Sequence, residues 1–190
     1  MTAPPPVRIV LLRHGRPSVA LTGVLRATDL ARLADAYRAA GIVDAPPPAT
    51  SAALKDIGMA LCSDLPRSRQ SAQALGFGEN PVADALFGEA QLPHFRHGRI
   101  RLPAAVWLTV LRLLWLAGFS RNGESYAAAK RRARSAAQRL IDYAHIHGSV
   151  ALVGHGVMNH LIGRELRAQG WRCSLRPGKD YWAYTVYEAK

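Results

Sequence analysis

Cysteine is nearly missing from this sequence: Cys62 and Cys173 stand alone, with no C-x-x-C pair. That excludes a disulfide framework and a zinc site built from paired thiolates. Cys62 falls inside an apolar run and reads as a small buried hydrophobe. Acidic residues are scarce too, 13 against 25 basic ones, giving a formal net charge of +12. Among the bases, lysine is the rare one, limited to Lys55, Lys130, Lys179 and Lys190. An arginine excess of this kind suits anions in general, whether phosphorylated small molecules, nucleic acid or an acidic membrane surface. It does not choose among them, and genome composition alone accounts for such an excess equally well. No run has the length and purity of a membrane span. The most apolar stretch, 102–119, contains Pro103 and Arg112 and barely reaches the ~18–20 residues a span requires. It predicts a buried or ligand-covering helix, with interfacial binding beside Arg96, Arg99 and Arg101 as the lesser reading. The first six residues, Met1-Thr2-Ala3-Pro4-Pro5-Pro6, lack the apolar core of a signal peptide. A cytoplasmic protein without a membrane span is expected, and no solenoid repeat is visible.

What is present is an ordinary globular balance, 49% hydrophobic and 20% charged over 190 residues. That is enough for one domain, 1–190, with a real core. Apolar, β-branched runs predict strands at 7–12, 59–63, 82–87, 149–154 and 181–187. Helical patterns fall at 27–40, 66–75, 103–117, 122–147 and 156–168. Alternation of the two predicts an α/β fold, a sandwich with a mostly parallel central sheet. Ala45-Pro46-Pro47-Pro48-Ala49 reads as a stiff connector inside that domain. Helix 122–147 carries Lys130, Arg131, Arg132, Arg134 and Arg139, which reads as a solvated face in preference to a nucleic-acid surface.

The chemistry gathers at strand ends. Arg13-His14-Gly15 follows the first strand, and Gly154-His155-Gly156 repeats the pattern after the fourth. Carboxyl ends of parallel strands are where open α/β sheets place their ligand crevices. Two such ends, each with a histidine beside glycine, suggest one site with two imidazoles, and Gly15 leaves room for a close ligand. Between them lies Cys62-Ser63-Asp64-Leu65-Pro66-Arg67-Ser68-Arg69-Gln70-Ser71-Ala72. Pro66 suits a first helical position, so Arg67 sits in the first turn, at the positive end of the helix, where phosphate binds readily. A carboxylate is also needed, and between Arg67 and Gly123 the chain offers only Glu79, Asp84 and Glu89. Glu79 reads as a solvated turn residue and Asp84 as part of a strand. Glu89 follows that strand on the expected active face, with Asp84 kept as the alternative. His94 and His97 read as loop residues at the substrate opening or in solvent. His145 and His147 read as structural, where cations suit the end of a helix, and His160 as packed or hydrogen-bonded. Glu124 is divided between a helix N-terminal role and a ligand contact.

Taken in order, the RHG triplet, the stretch from Ser63 through Arg67 to Ala72, Glu89, Gly123-Glu124-Ser125 and the GHG triplet resemble the histidine phosphatase superfamily, its phosphoglycerate-mutase-like group. The resemblance runs through nearly the whole chain. It implies the three-layer α/β/α sandwich of that group, a nucleophilic His14 and a phosphohistidine intermediate. It further implies a phosphate pocket of Arg13, Arg67 and His155, with Glu89 as the proton donor. Elementary chemistry agrees with those roles. Neighbouring arginines disfavour an imidazolium, which leaves His14 neutral and nucleophilic. The same guanidiniums match phosphate oxygens and hold the developing charge, so neither metal nor cofactor is expected. His155, if protonated, adds a donor. Many relatives continue RHG as RHGxSxxN, whereas Pro17 and Ala20 stand here. With the short interval from Glu89 to His155, this favours a phosphatase over a phosphomutase. A small anionic phosphorylated metabolite is the expected partner, and nucleic acid is not. A weakly catalytic anion- or nucleic-acid-binding protein is the rival from another class.

Overall fold

Strand β1 (Arg8–Arg13) sends its side chains alternately into two cores, Ile9 and Leu11 to one, Val10 and Leu12 to the other. A strand covered on both faces has no polar side to offer, so its sequence reads as one apolar run. In the computed structural model, which describes residues 6–78, 81–95, 97–174, 178 and 180–189, it is the first of eight strands. There follow β2 (Val24–Arg26), α1 (Asp29–Ala39), α2 (Pro48–Leu54), β3 (Met59–Cys62), α3 (Pro66–Ala74) and β4 (Val82–Ala83). The rest are β5 (Arg101–Pro103), α4 (Ala104–Leu116), α5 (Tyr126–His147), β6 (Ser149–Gly154), α6 (Gly156–Ala168), β7 (Arg172–Cys173) and β8 (Tyr184–Glu188). Glu79, Arg96 and the first five residues lie outside the described residues.

The main sheet has the order β4-β3-β6-β1-β8-β7. Its first four members run parallel, and β8 is antiparallel to both β1 and β7. On one face, α5 lays Ala129, Ala133, Ala136 and Ala137 against the sheet, with Met158 and Ile162 of α6 beside them. Side chains that small let the helix lie close to the strands. On the other face, Leu54 of α2, Ala72 of α3 and Trp182 cover Val10, Leu12, Ala151 and Val153. The result is the expected three-layer α/β/α arrangement. Apart from it, β2 and β5 form a two-stranded antiparallel ribbon. Ala27, Leu30, Trp107 and Leu111 make a small third core that ties α1 to α4.

Four local expectations are corrected. The strand foreseen at 82–87 ends at Ala83, because the Asp84 carboxylate accepts Leu86 N–H at 2.8 Å and starts a 3-10 turn over Ala85–Phe87. The last strand starts at Tyr184 and not at 181, since Trp182 turns the chain with φ at 63°. The supposed connector hides α2, whose first residue is Pro48, a position where the missing N–H costs nothing. Helix α5 starts at Tyr126 and not 122, capped by Ser125 Oγ, which accepts from Ala128 N–H at 3.1 Å. No helix among the described residues is long and apolar enough to cross a membrane. The apolar segment becomes α4, 13 residues in length.

Candidate active site

Parallel pairing of β1 with β6 sets the register Arg13↔Gly154. The next residue on each strand is a histidine, so His14 and His155 emerge side by side, with ring centroids 4.9 Å apart. His14 N–H also bonds to the Gly154 carbonyl at 3.0 Å. Gly15 has a different task from the one expected. A Cβ there would run into the Trp182 indole and reach the Asp44 carboxylate at 2.7 Å. The glycine makes room for protein, not for ligand.

His14 is 2% exposed. Its Nδ1 lies 2.7 Å from the Gly15 carbonyl, so Nδ1 carries the proton and Nε2 keeps the lone pair. Burial takes the imidazole down to about 3, the Gly15 bond opposes this, and Arg67 and Arg13 add to the lowering. The ring is therefore neutral at physiological pH. His155 is fully buried and is held well below its ordinary value, by burial first and then by His14 and the arginines. Its Nε2 meets Ser63 Oγ at 2.6 Å, and that hydroxyl already accepts Leu65 N–H. When the hydroxyl proton points at Nε2, the ring proton sits on Nδ1. Among the described residues that atom has no hydrogen-bond partner. In that tautomer a neutral His155 is a donor without being an imidazolium.

Arg67 is 2% exposed despite its charge. Its Nε–H points at His14 Nε2 across 3.2 Å, and Nη1 donates to the Tyr37 carbonyl at 2.8 Å. Two serines of α3 explain how the helix is held. Ser71 Oγ accepts Gly15 N–H at 2.9 Å and donates to the Arg67 carbonyl, while Ser68 Oγ donates to the Val153 carbonyl. A pair of tyrosines completes the pocket. The Arg13 guanidinium lies 4.3 Å from the Tyr181 ring centre and that of Arg67 lies 4.7 Å from Tyr37. Tyr37 bonds to the Tyr181 side chain and is pushed up to about 12, mainly by burial. Neither tyrosine stood out in the sequence, since each comes from a segment without a motif.

Glu89 sits at the first turn of α6. Its carboxylate accepts Val157 N–H at 3.3 Å and Met158 N–H at 3.0 Å, at the positive end of the helix. Its charge also acts on Arg67. Asp84 faces elsewhere: it caps the 3-10 turn and pairs with Arg139. The loop carrying Glu89 is gripped by Arg132, whose Nη1 donates to the carbonyls of Leu86 and Gly88 at 2.9 and 2.7 Å. Nε and Nη2 of the same guanidinium form a fork on Glu124, at 3.0 and 2.6 Å. Arg132 was expected on a solvated face but is 21% exposed and turned inward, whereas Lys130, Arg131, Arg134 and Arg139 remain on the surface. Glu124 lies directly before the α5 cap Ser125 and also lines the cleft.

Arg13, Arg67 and Glu89 line one cleft of about 1040 Å³, and the buried His14 adjoins it through its contact with Arg67. His94 reaches the same cleft, while His97, His145, His147 and His160 are exposed. His160 therefore departs from the packed role foreseen for it. Among the described residues no three His, Cys, Asp or Glu side chains converge as metal ligands would.

A buried neutral imidazole thus lies against one guanidinium, with a second histidine and a second arginine beside it, at the carboxyl ends of the parallel strands. The chain belongs to the histidine phosphatase superfamily (branch 1), whose model matches residues 9–188. Solved structures share the fold. A Mycobacterium tuberculosis open reading frame, Rv3214, is 16% identical with a TM-score of 0.61, covering 94% of this chain and 89% of that one. Mycobacterial glucosyl-3-phosphoglycerate phosphatase is 21% identical with a TM-score of 0.60, covering 94% and 91%. The alpha-ribazole phosphatase of Shigella flexneri is 18% identical with a TM-score of 0.54, covering 96% and 94%. Among curated proteins, none matches the chain in sequence.

Proposed function

We propose that the protein is a metal-independent phosphomonoesterase that works through a phosphohistidine on His14 and acts on an anionic phosphorylated metabolite. The observation that carries this reading is the state of His14, a neutral ring with its proton on Nδ1 and its Nε2 lone pair turned to Arg67. A phosphate oxygen entering the pocket takes over the Arg67 N–H, which frees Nε2 to attack phosphorus. The Gly15 carbonyl then supports the imidazolium as it forms. Arg13, Arg67 and the His155 Nδ1–H hold the equatorial oxygens, so the cationic charge a metal would supply is already built in. Glu89, which takes up a proton as the phosphate dianion binds beside it, passes that proton to the leaving alkoxide. In the second half, water attacks the phosphohistidine, Glu89 receives its proton, and the N–P bond breaks to release inorganic phosphate and neutral His14.

The test is rapid quenching of the protein with a 32P-labelled reactive phosphomonoester in the presence of EDTA. Acid-labile, base-stable label should appear on His14 of the wild type and be absent from a folded His14→Ala variant. Unlabelled protein, or full phosphate release by His14→Ala, would overturn the mechanism.

A further inference from the structure

Away from the guanidiniums the cleft changes character. Helix α1 presents Leu30, Leu33 and Tyr37 to it, at i, i+3 and i+7. Helix α4 presents the exposed Leu108, with Ala104, Trp107 and Leu111, at i−4, i−1 and i+3 from it, nearly buried in the wall behind. Each set occupies one face of its helix, so two apolar stripes border the same trough. Tyr37 marks the inner end, since its carbonyl accepts the Arg67 Nη1 and its ring lies against that guanidinium. Counted back along α1, Leu33 lies about 6 Å and Leu30 about 10 Å from this end, at a helical rise of 1.5 Å per residue. Trp107 Nε1–H donates to the Leu25 carbonyl at 3.0 Å, which fixes the indole in the wall. Charged side chains also border the cleft, Arg16, Arg38 and Arg112 with Asp35.

A polar group lying directly on Leu33 and Leu108 would lose water and gain few partners, because leucine side chains offer none, whereas Arg16, Arg38, Arg112 and Asp35 at the border would meet a charged one. Methylenes gain from the same burial in proportion to the area covered. Resting on the phosphomonoesterase reading, we propose that the preferred substrates are phosphomonoesters with an apolar body, an alkyl or aryl chain. The phosphate sits at His14 and the hydrocarbon lies in the trough between α1 and α4.

Two ladders of linear compounds, ethyl to octyl, test this below their micelle concentrations. Binding of the non-hydrolysable alkylphosphonates, followed by calorimetry, should tighten about two- to four-fold per added methylene. Phosphate release from the matching alkyl phosphates should show the same trend in KM with a nearly level kcat, and glycerol phosphate should fall at the poor end. Leu33→Asp or Leu108→Asp, checked for folding by circular dichroism, should flatten the binding ladder. Leu113→Asp, on the exposed outer face of α4, should not. A level phosphonate ladder in the wild type, or a ladder that survives both trough substitutions, overturns the apolar substrate class. A steep phosphonate ladder without phosphate release from any ester refutes the phosphatase reading and leaves the trough standing.

Discussion

The strongest quantitative consequence of the site is acid sensitivity. His14 titrates near 6.5 when the chain is unfolded and near 3 when burial, Arg67 and Arg13 act on it. Between those values the unfolded chain binds the proton and the folded chain does not. Stability therefore rises with pH across that window and falls as pH drops below 6.5. Going from pH 7 to pH 5, one such imidazole removes about 2 kcal/mol of stability. His155 is lowered for the same first reason and acts in the same direction. Replacing His14 by glutamine keeps an acceptor for Arg67 and deletes the titration. Urea unfolding at pH 7 and pH 5 isolates the effect, since all other titrating groups are shared by the two proteins. The wild type should lose about 2 kcal/mol more than His14→Gln over that interval. Equal losses in the two proteins, or a His14 ring resonance with a midpoint near 6.5 in the native state, would refute the argument.

Arg67→Lys keeps the charge but loses the planar fork that addresses both the phosphate and the Tyr37 carbonyl. A lost transition-state contact of ~2–4 kcal/mol should lower kcat by about two to three orders of magnitude, and near-normal kinetics would remove Arg67 from the pocket. Glu89→Gln cannot donate a proton. It should depress hydrolysis of an alkyl phosphate strongly, while p-nitrophenyl phosphate gives a phosphohistidine burst followed by slow turnover. That selective pattern in Asp84→Asn, and not in Glu89→Gln, would transfer the role to Asp84. Arg132→Met leaves the Glu124 carboxylate and the Leu86 and Gly88 carbonyls without their donor. Unfolding free energy should fall by about 2–4 kcal/mol, and a loss below ~0.5 kcal/mol would show that the fork does not hold the loop.

Much of this was written in the chain. Apolar runs at 7–12 and 149–154 required strands buried on two faces, observed at Arg8–Arg13 and Ser149–Gly154, and Pro66 marked the start of α3. The ordered motifs pointed to His14, Arg67, Glu89 and His155 because phosphate chemistry needs those side chains whatever the packing around them. Local pattern also had a limit: it read 82–87 as a strand where a side-chain cap at Asp84 wins over β propensity. What only the tertiary structure decided are relations between distant segments. The register of β1 on β6 sets the two imidazoles side by side. The packing of α5 brings Arg132 onto the Glu89 loop, although Arg131 and Arg134 on the same helix face water. Tyr37 and Tyr181, 144 positions apart by their numbering, meet over the arginines. A hydrogen bond or a stacked ring between residues so far apart depends on how helices settle on the sheet. Strand and helix periodicity fix which face a residue occupies, and only packing determines what that face meets.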